Sequence, residues 1–237
     1  MRCCVLKRYF KMYFPIYFVT VILVLAVVSL GSRAVSTMAQ GEMIARDHVI
    51  VIDAGHGGED GGATSCTGIL ESQINLEIAL RLNEVLQLLG YDTKMIRTTD
   101  TAIYTEGSSI AAKKVSDLKQ RVKIVNETNG AILVSIHQNI FPDSRYSGAQ
   151  VFYNNQSRGL AESLQNVFVK TVNQGSNRKA KAADGVYVMQ HITKPGILVE
   201  CGFLSNPEEE AKLQTEEYQI KICSIIAATV AKALSST

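Results

Sequence analysis

Apolar positions along the chain follow two rhythms: short unbroken runs, and stripes spaced three or four residues apart. His48–Asp53 (HVIVID) is a β-branched run ending in a glycine-rich loop, Ala54–Gly62, and reads as a strand. Ser72–Leu89 carries Ile74, Ile78, Leu82, Val85, Leu86 and Leu89 at helical spacing, with Gly90 as its stop. Tyr91–Arg97 reads as a second strand and 101–109 as a polar loop. Ile110–Thr128 is a basic helix that turns Val115, Leu118, Val122 and Val125 inward. Ala131–Ile136 (AILVSI) is continuously apolar, as in a strand buried on both faces. Strand Ala149–Asn154, helix Ser157–Val172, an exposed polar loop over 173–184, strands Gly185–Met189 and Gly196–Glu200 (GILVE) and a closing helix Glu216–Leu234 complete the series. The alternation predicts an α/β fold, one domain with a largely parallel, mixed central sheet flanked by helices.

The beginning of the chain breaks both rhythms. Residues 1–38 hold five basic groups (Arg2, Lys7, Arg8, Lys11, Arg33) and no acid, and Met12–Ser32 is uncharged throughout. A basic start followed by a long apolar stretch is the layout of an export signal, or of an anchor if it is not cut after Ala39. Residues 1–39 are therefore expected to be signal or anchor, with 40–237 the folded domain outside the cytoplasm. The 237 residues carry a net charge of +2, but without those five groups 19 basic residues face 22 acidic ones, a net of −3. That balance gives no footprint for nucleic acid. Membrane contact is expected only through the N-terminal segment. Cys66, Cys201 and Cys223 lack any CxxC spacing, and no disulfide is expected among them.

Three groups suited to metal or acid–base chemistry fall at the carboxyl ends of predicted strands: His56 after HVIVID, His137 after AILVSI, and Glu200 at the end of GILVE. Ligands bind at that edge of open α/β sheets. Glu71, where the glycine-rich loop enters the first helix, adds a fourth. Two imidazoles, one carboxylate and a water make a catalytic zinc donor set, which leaves Glu200 free as general base and acid. Taken singly, each residue also has an ordinary structural explanation: a hydrogen-bonded loop histidine, or a first-turn carboxylate matching the helix dipole. Cys201 is expected in the core, because alternation turns it away from Glu200. Lys113, Lys114, Lys119, Arg121 and Lys123 read as a solvated helix face. His48 and His191 read as structural or surface residues.

VIDAGHGGEDGGA at 51–63, Glu71 before INL, VSIHQN at 134–139 and LVECGFLSNPEE at 198–209 closely resemble the zinc-dependent N-acetylmuramoyl-L-alanine amidases of the amidase-3 class. Arg97–Asp100 (RTTD) and Leu118–Arg121 (LKQR) resemble its intermediate signatures, and the likeness spans about 48–235. It implies one zinc per domain held by His56, Glu71 and His137, a catalytic Glu200, and peptidoglycan as substrate. Gln138 departs from the small residue usual after the second histidine. ECGF, the single domain and the apolar start are most similar to the sporulation branch, which trims spore-cortex stem peptides toward muramic-δ-lactam and hence germination. No repeat or second domain to bind wall is read in the sequence, so targeting or activation is expected to depend on the membrane segment or a protein partner. Two other functions remain: a zinc peptidase acting on stem peptides, and a non-catalytic wall-binding protein on the same fold. A degenerate binder would be expected to lose a ligand or the last glutamate, and this chain keeps all four.

Overall fold

The computed structural model describes residues 48–235. Residues 1–47, the apolar segment among them, lie outside them. Among the described residues no helix is long and apolar enough to cross a membrane.

Six strands form one sheet: β1 (Val49–Ala54), β2 (Asp92–Met95), β3 (Ala131–Asn139), β4 (Gln150–Tyr153), β5 (Lys181–Ala182) and β6 (Gly196–Phe203). Their order is β2-β1-β3-β6-β4-β5, parallel except where β4 runs antiparallel to β6. This is the mixed α/β sheet expected. Alternation along the central strands sends each residue to one face or the other. Ile50, Ile52, Val134, Ile136, Val199 and Cys201 pack beneath helices α1 (Glu71–Leu88), α3 (Arg158–Thr171) and α6 (Glu216–Leu234). Val51, Leu133 and Leu198 pack on the other face with α2 (Ile110–Glu127) and the short α4 (Tyr187–His191). The remaining helix of the described residues, α5 (Pro207–Leu213), begins at Pro207 behind an Asn206 cap and was not legible in the hydrophobic pattern.

Four elements differ from the sequence reading. Gly185–Met189 is not a strand: Tyr187–His191 is helical, and Val188 and Met189 seal the second core. The free edge of β4 is already taken by Lys181–Ala182, a two-residue strand inside the stretch expected to be loop. β3 and β6 also run further than the apolar runs suggested, pairing to Asn139 and Phe203 with a bulge after His137. His137 thus lies within β3 rather than beyond it, and Glu200 within β6 rather than at its end, which gives their side chains the rigidity of the sheet. In α2, Val125 is buried as expected, whereas Val115 is exposed.

Candidate functional site

β3 and β6 place His137 and Glu200 side by side as register partners, on one face at the carboxyl edge of the sheet. Glu71 is the first residue of α1, 4% exposed. Its Oε1 lies 3.0 Å from His137 Nδ1 and its Oε2 3.3 Å from His56 Nε2. The two rings stand edge-to-face, 5.0 Å apart. One donor atom from each of His56, Glu71 and His137 lies within 4.8 Å of the others. Backbone N–H groups of Ala63 and Gln138 and the Asn75 amide donate to the Glu71 carboxylate and fix it. On the far side of His56, Nδ1 lies 3.0 Å from Asp60 Oδ2, which in turn pairs with Lys114 at 3.1 Å. Such outer partners hold an imidazole in one orientation.

The loop carrying His56 is shaped from below. Ala54 O accepts from Arg97 Nε and Arg121 Nη1, Gly55 O from Arg97 Nη2 and Asn75, and His56 O from Arg121 Nη2. Three successive carbonyls are thus pinned inward by two buried guanidiniums. His56 follows with φ of 61°, a left-handed conformation costly for a side chain with a Cβ. Gly55 is required by close approach, since a Cβ there would sit 2.2 Å from the His137 ring.

Charge follows this geometry. Burial opposes ionisation of Glu71, but hydrogen bonds and charge from His137 and His56 outweigh it and hold its carboxyl far below the usual range. Burial depresses the His56 imidazolium, yet Glu71 and Asp60 raise it overall. Glu200 behaves oppositely. Burial pushes its pKa up to about 7, against the pull of His137 and His56, and its Oε2 is buried without a hydrogen-bond partner. An orphaned carboxylate oxygen beside three convergent donors marks a place where something else is to be held.

Comparison with known proteins decides what this arrangement serves. The family model described as N-acetylmuramoyl-L-alanine amidase matches residues 50–232. The chain belongs to that family. The amidase is 40% identical over 182 residues to the germination-specific N-acetylmuramoyl-L-alanine amidase of Bacillus subtilis (strain 168), covering 75% of this chain and 76% of that one. Among solved structures it resembles the CwlD amidase from Clostridioides difficile, determined in complex with the GerS lipoprotein. That match has a TM-score of 0.76 and 36% identity over 80% of this chain and 100% of the other. An N-acetylmuramoyl-L-alanine amidase from Clostridium difficile 630 aligns with a TM-score of 0.70 and 31% identity, covering 81% of this chain and 99% of that one. The amidase hydrolyses the amide between N-acetylmuramic acid and L-alanine in peptidoglycan.

Within the amidase, Arg121 corrects the reading of the basic helix. It is 2% exposed and bridges Asp53 and Asp117 beneath the site, while Lys119 and Lys123 stay in solvent. Lys113 and Lys114 pair with Glu59 and Asp60 of the glycine-rich loop. Cys201 lies in the core, and Cys66, Cys201 and Cys223 are free thiols. His191 stacks on Tyr187 at the exposed end of α4.

Proposed function

We propose that the amidase works with one zinc ion held by His56, Glu71 and His137, and with Glu200 as general base and then acid. The carrying observation is the convergence of these three donors beside the orphaned Glu200 oxygen. Neutral imidazoles and a carboxylate suit zinc, and a cradle that only glycine leaves open keeps the His137 ring in place. Zinc bound there supplies Lewis acidity toward the amide carbonyl and lowers the pKa of water. Glu200 takes a proton from the attacking water and delivers it to the leaving alanine nitrogen. Two backbone N–H groups and the Asn75 amide hold the Glu71 carboxylate in place as the third ligand, while Asp60 holds the outer nitrogen of His56.

We further infer that residues 1–39 direct export or anchor the chain, that residues 40–237 form the catalytic domain and act outside the cytoplasmic membrane, and that the substrate is spore-cortex peptidoglycan. Similarity to a germination-specific relative supports the last point. Similarity to an amidase solved with a lipoprotein supports docking of a protein partner for targeting or activation.

Two measurements test this function. Peptidoglycan incubated with the zinc-loaded full-length protein and resolved by mass spectrometry should yield peptides with a free N-terminal alanine and glycan with intact lactyl groups. Fragments cut within the stem peptide would establish a peptidase instead. Separately, His137→Ala should lower zinc from one per chain to near zero by elemental analysis, because two remaining ligands make a poor site. Full occupancy in that variant would show that the ligands are others.

A further inference from the structure

Of the described arginines, Arg81, Arg97, Arg121, Arg145 and Arg158 each have a carboxylate partner, whereas Arg178 forms no ion pair. It is nonetheless firmly placed. Nε and Nη2 both donate to Ser147 O, at 3.2 and 2.9 Å, Nη1 lies 3.4 Å from Gln150 Oε1, and the guanidinium stacks 5.1 Å above the centre of the Phe203 ring. Neutral partners hold the fork but leave its charge uncompensated.

Its position relates it to the reacting centre. His137 pairs in register with Glu200, and Glu200 pairs with Gln150 on the neighbouring strand. Register partners on adjacent strands share a face, so His137, Glu200 and Gln150 form one row across β3, β6 and β4. Gln150 presents its oxygen to Arg178 because its own amide nitrogen is tied to Gln165 and to Lys179 O. Strand spacing puts the Gln150 column about 10 Å from that of His137. Arg178 then opens into a cleft of about 540 Å³, shared with Tyr146, Ser147 and Ser176. Asp143 also lines this cleft, but Arg145 binds both of its oxygens. The cleft therefore carries one unanswered positive charge on the side of the site opposite His56.

We infer that Arg178 is a specificity-determining residue that receives a carboxylate on the peptide side of the scissile amide, within two residues of the alanine. The leaving nitrogen lies beside Glu200, whose column is one strand spacing, about 5 Å, from that of Gln150, and two extended residues advance about 7 Å, so such a carboxylate reaches toward Arg178. Rigid guanidinium forks suit planar carboxylates, and a charge-assisted contact of this kind is worth roughly tenfold to a hundredfold in binding. This inference rests on the amidase activity at the neighbouring site. A simpler role for Arg178 is to brace the β3–β4 loop through Ser147 O.

The test uses two muramoyl peptides that differ only in bearing a carboxylate or a carboxamide on the residue after alanine. The zinc-loaded full-length protein should favour the carboxylate by about tenfold or more in kcat/KM, chiefly through KM. Arg178→Gln should bring that ratio toward one, and Arg178→Lys should retain part of it. A wild-type enzyme indifferent to the change overturns the inference, as does Arg178→Gln losing both substrates equally, which is the signature of a brace. If Arg178→Gln fails to fold, the wild-type ratio and Arg178→Lys decide. Absence of hydrolysis of either peptide by the wild type would instead overturn the amidase activity on which the inference rests.

Discussion

Glu200→Gln should keep its zinc and lose about a hundredfold or more in turnover, as when a general base is removed. Gln keeps the shape of the side chain and cannot take the proton. The same substitution should stabilise the protein once a chelator has removed its metal. Glu200 has a folded pKa of about 7, above its ordinary value, so the folded state binds more protons between the two. Its contribution is therefore neutral below about pH 4.5, turns unfavourable as pH rises toward 7, and stays so above. At pH 8 the metal-free variant should exceed wild type by on the order of 3 kcal/mol, the equivalent of that displacement. Paired zinc analysis, product formation and thermal melts at pH 4.5 and 8 check all three statements. Loss of zinc with activity would make Glu200 a ligand, and equal melting temperatures at pH 8 would mean that its charge is compensated in the folded state.

Arg121→Met should produce the largest stability loss away from the reacting groups. Burial works against the Arg121 charge, but Asp53 and Asp117 outweigh it and hold the guanidinium ionised. Burial likewise resists ionisation of Asp53, and the Arg121 charge is the main force that overcomes it. Removing one member of a buried pair strands the other, at a cost of about 3–5 kcal/mol. Two of the carbonyls that shape the His56 loop would lose a donor at the same time. Urea unfolding should show the midpoint falling steeply, and adding Asp53→Asn should recover part of the loss. A double variant as unstable as the sum of the singles would mean that packing, not the stranded charge, accounts for the effect.

Most of the framework was legible because buried parallel strands are written as unbroken apolar runs. HVIVID and AILVSI each occupy the centre of the sheet, and the polar residues at their ends necessarily share one edge. Glu200 stood out for the same reason, as a carboxylate at the end of GILVE. Arg121 was misread because composition swamped position. Surrounded by lysines it looked solvated, yet it falls three residues after Leu118 and four before Val125, on the inward stripe of α2, with Asp117 one turn earlier. A charged residue on an apolar stripe with an acid at i−4 was the available signal. Gly185–Met189 failed differently. Its β-branched and aromatic residues favour a strand, but the edge of β4 is already paired with Lys181–Ala182, and packing of Val188 and Met189 into the second core decides.

The braces beneath His56 also bear on the timing of metal capture. Zinc fingers draw their ligands from short local spacings, and the ion drives their folding. Here Glu71 and His137 are 66 residues apart, and the conformation of the His56 loop depends on arginines contributed by α2 and by the segment after β2. An unfolded chain has no preformed site to offer, and closing a 66-residue loop around an ion adds to the entropic cost. With the proposed ligand set, the ion would enter a pocket that the finished domain has already built, so that metal supply would tune how many molecules are active without dictating how many fold.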